Sequence, residues 1–587
     1  MYVALVQFNP ITAALRANAQ RALEIIDELA AMPYPPDLVV FPAYALTGVK
    51  VGGLVYHGAF VAECIEVTRD FIASASLPTL FGTLIPRPLE DRFSFICEPE
   101  IIFCRNGAGG ALGFVDATNS WSFDRYASSI DIELDGHTIT VVMDDLPEES
   151  DDFSRSELVI VMLAKEYENN DLLFTASAQI GYLRSIAVHN QAWLVVVNLV
   201  GGEDEIIYDG GSLVLDAHGA VKDSVPPFVE QVLMVNLDLD APALNNLNEK
   251  DTKPRPRTQD SKIVKPLLPY EADWNALVVS IRDFVTKNGF SDVVIGISGG
   301  IDSALVATLA TEALGNTHVH GVLMPGPFSS KGSVEDATAL ADSLGIDTIT
   351  FPITDAYELF KKNSTDILDT PGSDTALENI QSRLRTIILM HLSNTYGWLL
   401  LNTGNRSEAA MGYSTLYGDT AGAFAPLGNI YKTDVFGLAA WHNEKEPLIP
   451  QAILEKPPSA ELREDQLDSD SLPPYEELDR ILRLHLEDNL GVDQILEISH
   501  QQSGEPALDP ETVVSVLERV KRAEFKRRQE PLGPELGSID MNRDRWWPIT
   551  NGFVDHDRHL LERNEIYDYL NSIYLDRGPS DIDLWGN

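Results

Sequence analysis

The run Ser298-Gly299-Gly300-Ile301-Asp302-Ser303 has the residue types and spacing of an anion cradle. Glycines let the backbone approach an anion closely, and hydroxyls add donors. The apolar stretch Val293-Val294-Ile295-Gly296-Ile297 precedes it and reads as a buried parallel strand. Ala304 to Leu314 follows with helical spacing, and Gly315 is a stop signal. A helix start offers unpaired N–H groups and the positive end of the helix dipole, so strand, loop and helix together would hold phosphate. Asp302 in such a loop would repel phosphate unless a cation sat between them, which implies Mg²⁺. The loop is not G-x-x-x-x-G-K-[ST], so transfer of a terminal phosphoryl group by the Walker route is not expected.

Five further clusters lie downstream. Gly321-Val322-Leu323-Met324-Pro325 ends a strand and offers apolar backbone against which a purine can pack, and the polar loop Phe328–Ser333 follows it. Glu378-Asn379-Ile380-Gln381-Ser382-Arg383 opens a helix and sets Asn379 and Arg383 on one face at i, i+4. Leu399-Leu400-Leu401 leads into Asn402-Thr403-Gly404-Asn405-Arg406-Ser407-Glu408, a second strand, loop and helix start carrying a carboxylate. Gly412–Asp419 and Leu427–Thr433 come next. One such carboxylate is usually a helix-terminal charge, but several strand-end loops in one domain converge at the carboxyl edge of a parallel sheet.

The elements that must position these residues fill a chain of 587 residues, enough for two or three domains. At 44% hydrophobic and 22% charged residues, the composition is that of a globular protein. No apolar run reaches membrane-spanning length and the N-terminus lacks a basic region, so a cytoplasmic protein with no membrane partner is expected. Three cysteines (Cys64, Cys97, Cys104) without metal or redox spacing point to a reducing compartment. The net charge is −46, and residues 1–250 carry half of it, with 36 acidic and 13 basic residues. Acidity spread this evenly weighs against nucleic acid as a partner.

Residues 1–240 alternate short strands (Tyr2–Phe8, Leu38–Phe41, Thr79–Leu84, Thr138–Met143, Leu158–Met162, Trp193–Asn198, Gly211–Leu215, Gln231–Leu237) with helical stretches such as Ala17–Ala31. That is an α/β pattern. Asn245 to Pro269, containing Lys253-Pro254-Arg255-Pro256-Arg257, reads as a linker. The divisions expected are residues 1–242, a linker at 243–268, and 269–587. The acidic stretch Glu461–Ser471 reads as a mobile loop, and the cluster Asp144, Asp145, Glu148, Glu149, Asp151, Asp152 as a solvated one.

The Ser298–Ser303 loop resembles the PP-loop of ATP pyrophosphatases, a class that includes NAD, asparagine, GMP and argininosuccinate synthetases and tRNA-thiolating enzymes. The run from Pro269 to about Phe553 is more specific. The strings GISGGIDSALVA, NTGNRSE, GYSTLYGDTAG, KPPSAEL, SLPPYEELD, EFKRRQ and RWWPITNGF together resemble the synthetase domain of glutamine-dependent NAD⁺ synthetases. The resemblance implies a Rossmann-like ATP pyrophosphatase domain with a parallel sheet. It implies ATP- and Mg²⁺-dependent amidation of nicotinic acid adenine dinucleotide (deamido-NAD) through an acyl adenylate, giving NAD⁺, AMP and pyrophosphate. Carried over position by position, Asp302 and Glu408 match the Mg²⁺ ligands, and Lys432 the lysine that neutralises charge at the reacting groups. Gly296, Ser298, Gly299, Gly300, Asp302, Ser303, Met324, Thr403 and Ser459 fall at ATP positions, and Asn379, Arg383, Asp419 and Lys526 at dinucleotide positions. Another PP-loop amidating ligase, or a nucleotide-binding pseudoenzyme, are the competing expectations.

Residues 1–240 resemble the nitrilase-like glutaminase domain of the same family, an α-β-β-α sandwich. The anchors are Ala4–Gln7, Asp37–Pro42, Leu46-Thr47-Gly48, Phe123-Asp124-Arg125-Tyr126, Asn198–Gly202 and Asp209–Ser212. That family hydrolyses glutamine with a Glu-Lys-Cys triad, and the sequence departs at all three positions. Ala43 follows Phe41-Pro42 in place of Glu, no Lys occurs between Arg105 and Lys165, and Met143-Asp144-Asp145 replaces Cys-Glu-Asp. A thioether is not an activatable nucleophile, and alanine accepts no proton. Cys97-Glu98 imitates the lost string but precedes Phe123-Asp124, and is read as a strand residue. The expectation is a catalytically inactive first domain, ammonia taken from solution or from a separate supplying protein, and a homo-oligomer, since a lost site leaves the family's interfaces in place.

Overall fold

The computed structural model describes residues 1–88, 95–105, 108–111, 129–143, 153, 155–168, 177–239, 267–501, 506–537 and 549. The Phe123–Tyr126 anchor, the Asp144–Asp152 cluster, most of the expected linker, and RWWPITNGF except Ile549 lie outside the described residues.

In the first half, two six-stranded sheets pack face to face. One runs 231–236, 2–7, 38–40, 79–88, 95–105, 108–111; the other runs 221–224, 213–215, 193–198, 158–163, 137–143, 129–134. The alternation of Val3, Leu5, Leu38, Val40 with Val141, Ile160, Met162, Val195 and Val197 fills the space between the sheets. Helices Leu15–Ala30 and Gly58–Ser74 cover the outer face of the first sheet through Ala19, Ala22, Ile26, Val67 and Phe71. Helix Ser177–Asn190 covers the other sheet through Leu183, Ile186 and Ala187. The result is the expected α-β-β-α sandwich. Cys97 falls within strand Phe95–Arg105.

In the second half, four parallel strands lie in the order Asp347–Thr350, Val319–Leu323, Val293–Gly296, Leu399–Leu400. Strand order therefore reverses between Val293–Gly296 and Leu399–Leu400. In an open parallel sheet, this reversal leaves a crevice at the carboxyl ends of the two strands. Helix Ile301–Leu314 is apolar almost all round, because Leu305, Val306, Leu309 and Ala310 are buried on every side.

Helix Pro269–Lys287 joins the halves. Its Trp274, Ala276 and Leu277 share one apolar cluster with Tyr167, Ile207 and Phe228 of the first half. Polar contacts at the same seam are dense. Lys287 donates to Asn9 Oδ1 (2.7 Å), Pro10 O (2.8 Å) and Gly202 O (2.7 Å). Asp283 accepts from Asn9 Nδ2 and Gly202 N, both at 2.8 Å. Glu203 accepts from Val49 N and Lys50 N, each at 3.1 Å.

Candidate active site

The first wall of the crevice is the Ser298–Ser303 loop. Gly299 sits at φ +80°, and a Cβ there would lie 2.2 Å from Ser333 O, so this turn requires glycine. Ser298 Oγ and Ser303 Oγ are 3.0 Å apart, Gly300 N donates to Ser298 Oγ (3.2 Å), and Ser303 Oγ donates to Gly300 O (3.1 Å). The hydroxyls thus shape the loop at the start of helix Ile301–Leu314.

The second wall follows Leu399–Leu400. Asn405 caps helix Arg406–Met411, its Oδ1 accepting from Glu408 N (3.0 Å), while its Nδ2 donates to Asp302 Oδ1 (2.9 Å). One side chain therefore fixes both walls. Lys432, at the start of helix Lys432–Lys445 and only 2% exposed, inserts between them. Its amine lies 2.5 Å from Asp302 Oδ2 and 3.2 Å from Glu408 Oε1. Burial alone would lower the lysine's pKa, but the two carboxylates outweigh it and hold it above the ordinary range. Burial pushes the Glu408 carboxyl up to about 8 against the pull of Lys432. Lys432 is itself seated by Ser407 Oγ, which accepts from Lys432 N (2.9 Å) and donates to Asp479.

Gly296, Ser298, Gly300, Asp302, Ser303, Met324, Thr403, Glu408, Asp419, Lys432 and Ser459 all line this one cavity. Asn379, Arg383 and Lys526 do not face it. They hold loop 412–418: Asn379 Oδ1 accepts from Thr415 Oγ1 (2.8 Å), Arg383 Nε donates to Leu416 O (3.2 Å), and Lys526 Nζ donates to Gly412 O (2.8 Å) and Ser414 O (2.7 Å). Asp419 closes that loop by accepting from Thr415 N (2.6 Å).

The segment read as a mobile acidic loop, Glu461–Ser471, instead folds over the cavity. Gln381 Nε2 donates to Leu462 O (2.8 Å), Asp468 N to Pro458 O (3.1 Å), and Ser459 Oγ to Gln466 O (2.5 Å). Glu461 accepts from Ser330 N (3.2 Å) and from the Ser330 hydroxyl (3.0 Å), with Lys456 3.4 Å away. Sequence reading missed Asn405, Lys456, Glu461 and Asp468. A helix-cap pattern marked Asn405, but the other three act through contacts that no local pattern displays.

The donor set suits Mg²⁺. Asp302 and Glu408 turn hard oxygens toward one positive charge, and among the described residues no group of three metal-binding side chains exists. Two carboxylates completed by phosphate oxygens and water match how Mg²⁺ is usually held.

In the first half, Ala43 is fully buried in an apolar cluster with Phe41, Phe81 and Leu84, and Met143 packs against the same cluster. Ala43 follows strand Leu38–Val40 of the first sheet, and Met143 ends strand His137–Met143 of the second. A Cβ on Gly82 would lie 2.7 Å from Ala43 Cα, which shows how closely the backbone packs there.

A family model described as NAD synthase matches residues 273–530. The chain is 35% identical to a glutamine-dependent NAD⁺ synthetase from Aquifex aeolicus over 94% of its length and 99% of the relative's. A Thermotoga maritima synthetase of the same description is 41% identical over 64% of this chain and 67% of the relative. Among solved structures, an Acinetobacter baumannii glutamine-dependent NAD⁺ synthetase in complex with ADP has a TM-score of 0.64 at 28% identity, covering 95% of this chain and 99% of that one. A Cytophaga hutchinsonii synthetase, at 18% identity and TM-score 0.74, shares the fold.

Proposed function

The chain belongs to the glutamine-dependent NAD⁺ synthetase family, ATP-dependent ligases, and we propose that it amidates deamido-NAD with ammonia that its own first domain does not generate. The observation that carries the synthetase reading is the amine of Lys432 held between Asp302 and Glu408 beside the Ser298–Ser303 loop. That the A. baumannii relative holds ADP supports a nucleotide in this cavity.

In this reading the substrate carboxylate attacks the α-phosphorus of ATP, and the bond to pyrophosphate breaks. The start of helix Ile301–Leu314 and the Ser298 and Ser303 hydroxyls bind the departing phosphates. Lys432 offsets negative charge where carboxylate and α-phosphate meet. Mg²⁺, held by Asp302 and Glu408, supplies positive charge on the phosphates when bound. Ammonia nitrogen then attacks the acyl carbon, the carbon–oxygen bond to AMP breaks with its electrons leaving on AMP, and nitrogen loses a proton to solvent. No side-chain nucleophile is needed, because position and electrostatics lower both barriers. Asn379, Arg383, Asp419 and Lys526 act on deamido-NAD through the loop they fix.

The absence of a glutaminase rests on Ala43 and Met143 standing for the general base and the nucleophile, and on the apolar surroundings of both. The test is NAD⁺ formation from deamido-NAD, ATP and Mg²⁺, with ammonium chloride or glutamine in parallel. Product with ammonium alone is expected. Equal product with glutamine overturns the inactive first domain, and no product with either overturns the substrate.

A further inference from the structure

The bond that breaks in adenylation leaves its electron pair on pyrophosphate, and that much charge calls for cations besides a metal. The Ser298–Ser303 loop offers hydroxyls and amides but, unlike a Walker loop, no lysine. Among the described residues, the cations that line the cavity are Arg385, Lys432 and Lys456. Lys432 is held between Asp302 and Glu408. Arg385 Nε donates to Met324 O (3.2 Å), in the stretch where a purine is expected to pack. Lys456 has no role in the chemistry above.

Lys456 stands at the phosphate loop. Its amine donates to Ser333 Oγ, and the carbonyl of the same Ser333 is the atom that a Cβ on Gly299 would meet at 2.2 Å. The amine is therefore one residue away from the tight turn of the loop. Its ionic partner is Glu461 (3.4 Å), with Asp336 at 4.0 Å. The Glu461 carboxylate also accepts from the Ser333 hydroxyl (2.5 Å) and from the amide and hydroxyl of Ser330. Burial would raise the Glu461 carboxyl, but these bonds and the charge of Lys456 outweigh it and hold it below the ordinary range. An anion of the protein's own thus occupies hydroxyl, amide and ammonium donors beside the phosphate loop. A phosphate oxygen is bound by the same kinds of donor.

We propose that Lys456 binds the β- and γ-phosphates of ATP and the pyrophosphate they become, and that Glu461 is the counter-anion those phosphates displace from its amine. This rests on the synthetase reading above. As the substrate carboxylate oxygen bonds to the α-phosphorus, the bond from phosphorus to the bridging oxygen breaks and its electron pair leaves on pyrophosphate. Lys456 donates N–H bonds to that charge and gives up no proton. Lys432 serves the reacting carboxylate and α-phosphate, and Lys456 serves the leaving group.

The test is product inhibition by pyrophosphate and by AMP in K456M and E461Q, with ammonium as the nitrogen source. In K456M the inhibition constant for pyrophosphate should rise about tenfold or more, while that for AMP stays within about threefold of wild type. In E461Q pyrophosphate should bind a few-fold tighter, because the competing carboxylate is gone. A pair that only fastens residues 456–461 to helix Lys331–Leu344 would instead weaken pyrophosphate in both variants. That result overturns the proposal, as does pyrophosphate binding unchanged in K456M or no tighter in E461Q. If K456M does not fold, as read by thermal melting, E461Q decides alone. Wild-type protein that forms no product from ATP, deamido-NAD and ammonium overturns the synthetase reading and this proposal with it. Wild-type turnover with a failed variant result overturns this proposal only.

Discussion

Two places in this molecule invite the same question and answer it differently. In the second half, Asp302, Glu408 and Lys432 come from three separate helix starts and meet within 3.2 Å. In the first, Ala43 follows a strand of one sheet and Met143 ends a strand of the other, and both pack on an apolar cluster that includes Phe41, Phe81 and Leu84. What differs is the solvation that each has been built to supply. At the charged site Asp302 and Glu408 share the Lys432 amine and a capping asparagine fixes the geometry, so their burial is tolerable. The cluster on which Ala43 and Met143 pack is hydrophobic. In the reading proposed above, the first domain keeps its architecture without the family's polar groups, because its stability comes from apolar packing and not from the site.

The sharpest way to test that contrast is Asp302→Asn. It removes one of two carboxylates that bracket Lys432 and one of two proposed Mg²⁺ ligands. Turnover with ammonium should fall on the order of 10³-fold, while far-ultraviolet circular dichroism stays unchanged. A loss under tenfold would mean that the chemistry lies elsewhere.

Next in size is the seam between the halves. Lys287→Met removes the bonds to Asn9, Pro10 and Gly202 and leaves Asp283 and Glu203 buried beside an apolar tip. Burial lowers the Lys287 pKa, but Asp283 and Glu203 keep the amine charged by their attraction. Breaking a buried charge cluster from one side costs about 3–5 kcal/mol. Urea unfolding should show that loss. An unchanged midpoint would mean that apolar contacts of Trp274 and Leu277 carry the docking alone.

The reverse substitution at the apolar site should cost somewhat less. Ala43→Glu puts a carboxyl into a hydrophobic cluster with Phe41 and Phe81, at about 2–4 kcal/mol, and should create no glutamine-dependent product. Met143→Cys, which only shortens a half-buried side chain, should cost about 1–2 kcal/mol and leave ammonium-dependent turnover as it was. Gain of glutamine use in the double variant would show that the first site is dormant rather than dismantled.

How much of this was legible in the sequence depends on how local the cause was. Strand Trp193–Asn198 and the Ile301–Leu314 helix with its Gly315 stop follow from apolar runs and end signals. Asp302 and Glu408 were readable because each lies within its own strand, loop and helix start, and Lys432 through the family resemblance of the segment that carries it. Strand Thr79–Pro88 runs past its expected end at Leu84, because it pairs along its length with strand Phe95–Arg105. Asp468 was hidden for a different reason. Its burial exists only once 456–471 crosses the cavity, a fold-level contact made through Gln381 and Pro458. Charge composition described the segment correctly and still gave the wrong environment.

The last effect concerns pH and the seam between the halves. Tyr167 donates to Asp273 Oδ1 at 2.7 Å across the two halves, and burial raises the Asp273 carboxyl from 3.8 to about 6, aided by Asp434. The folded protein thus binds this proton more tightly than the unfolded chain does. The contribution to stability is full below about pH 4 and is lost as pH rises through about 6. Its ceiling is about 3 kcal/mol, reduced by solvent screening at a partly exposed carboxyl. Asp273→Asn keeps an acceptor for the Tyr167 hydroxyl and removes the proton. The difference in melting temperature, variant minus wild type, should therefore rise between pH 4 and pH 7 and level off above. A flat difference would mean that water reaches Asp273 freely, and that the seam is polar there by solvation and not by enforced burial.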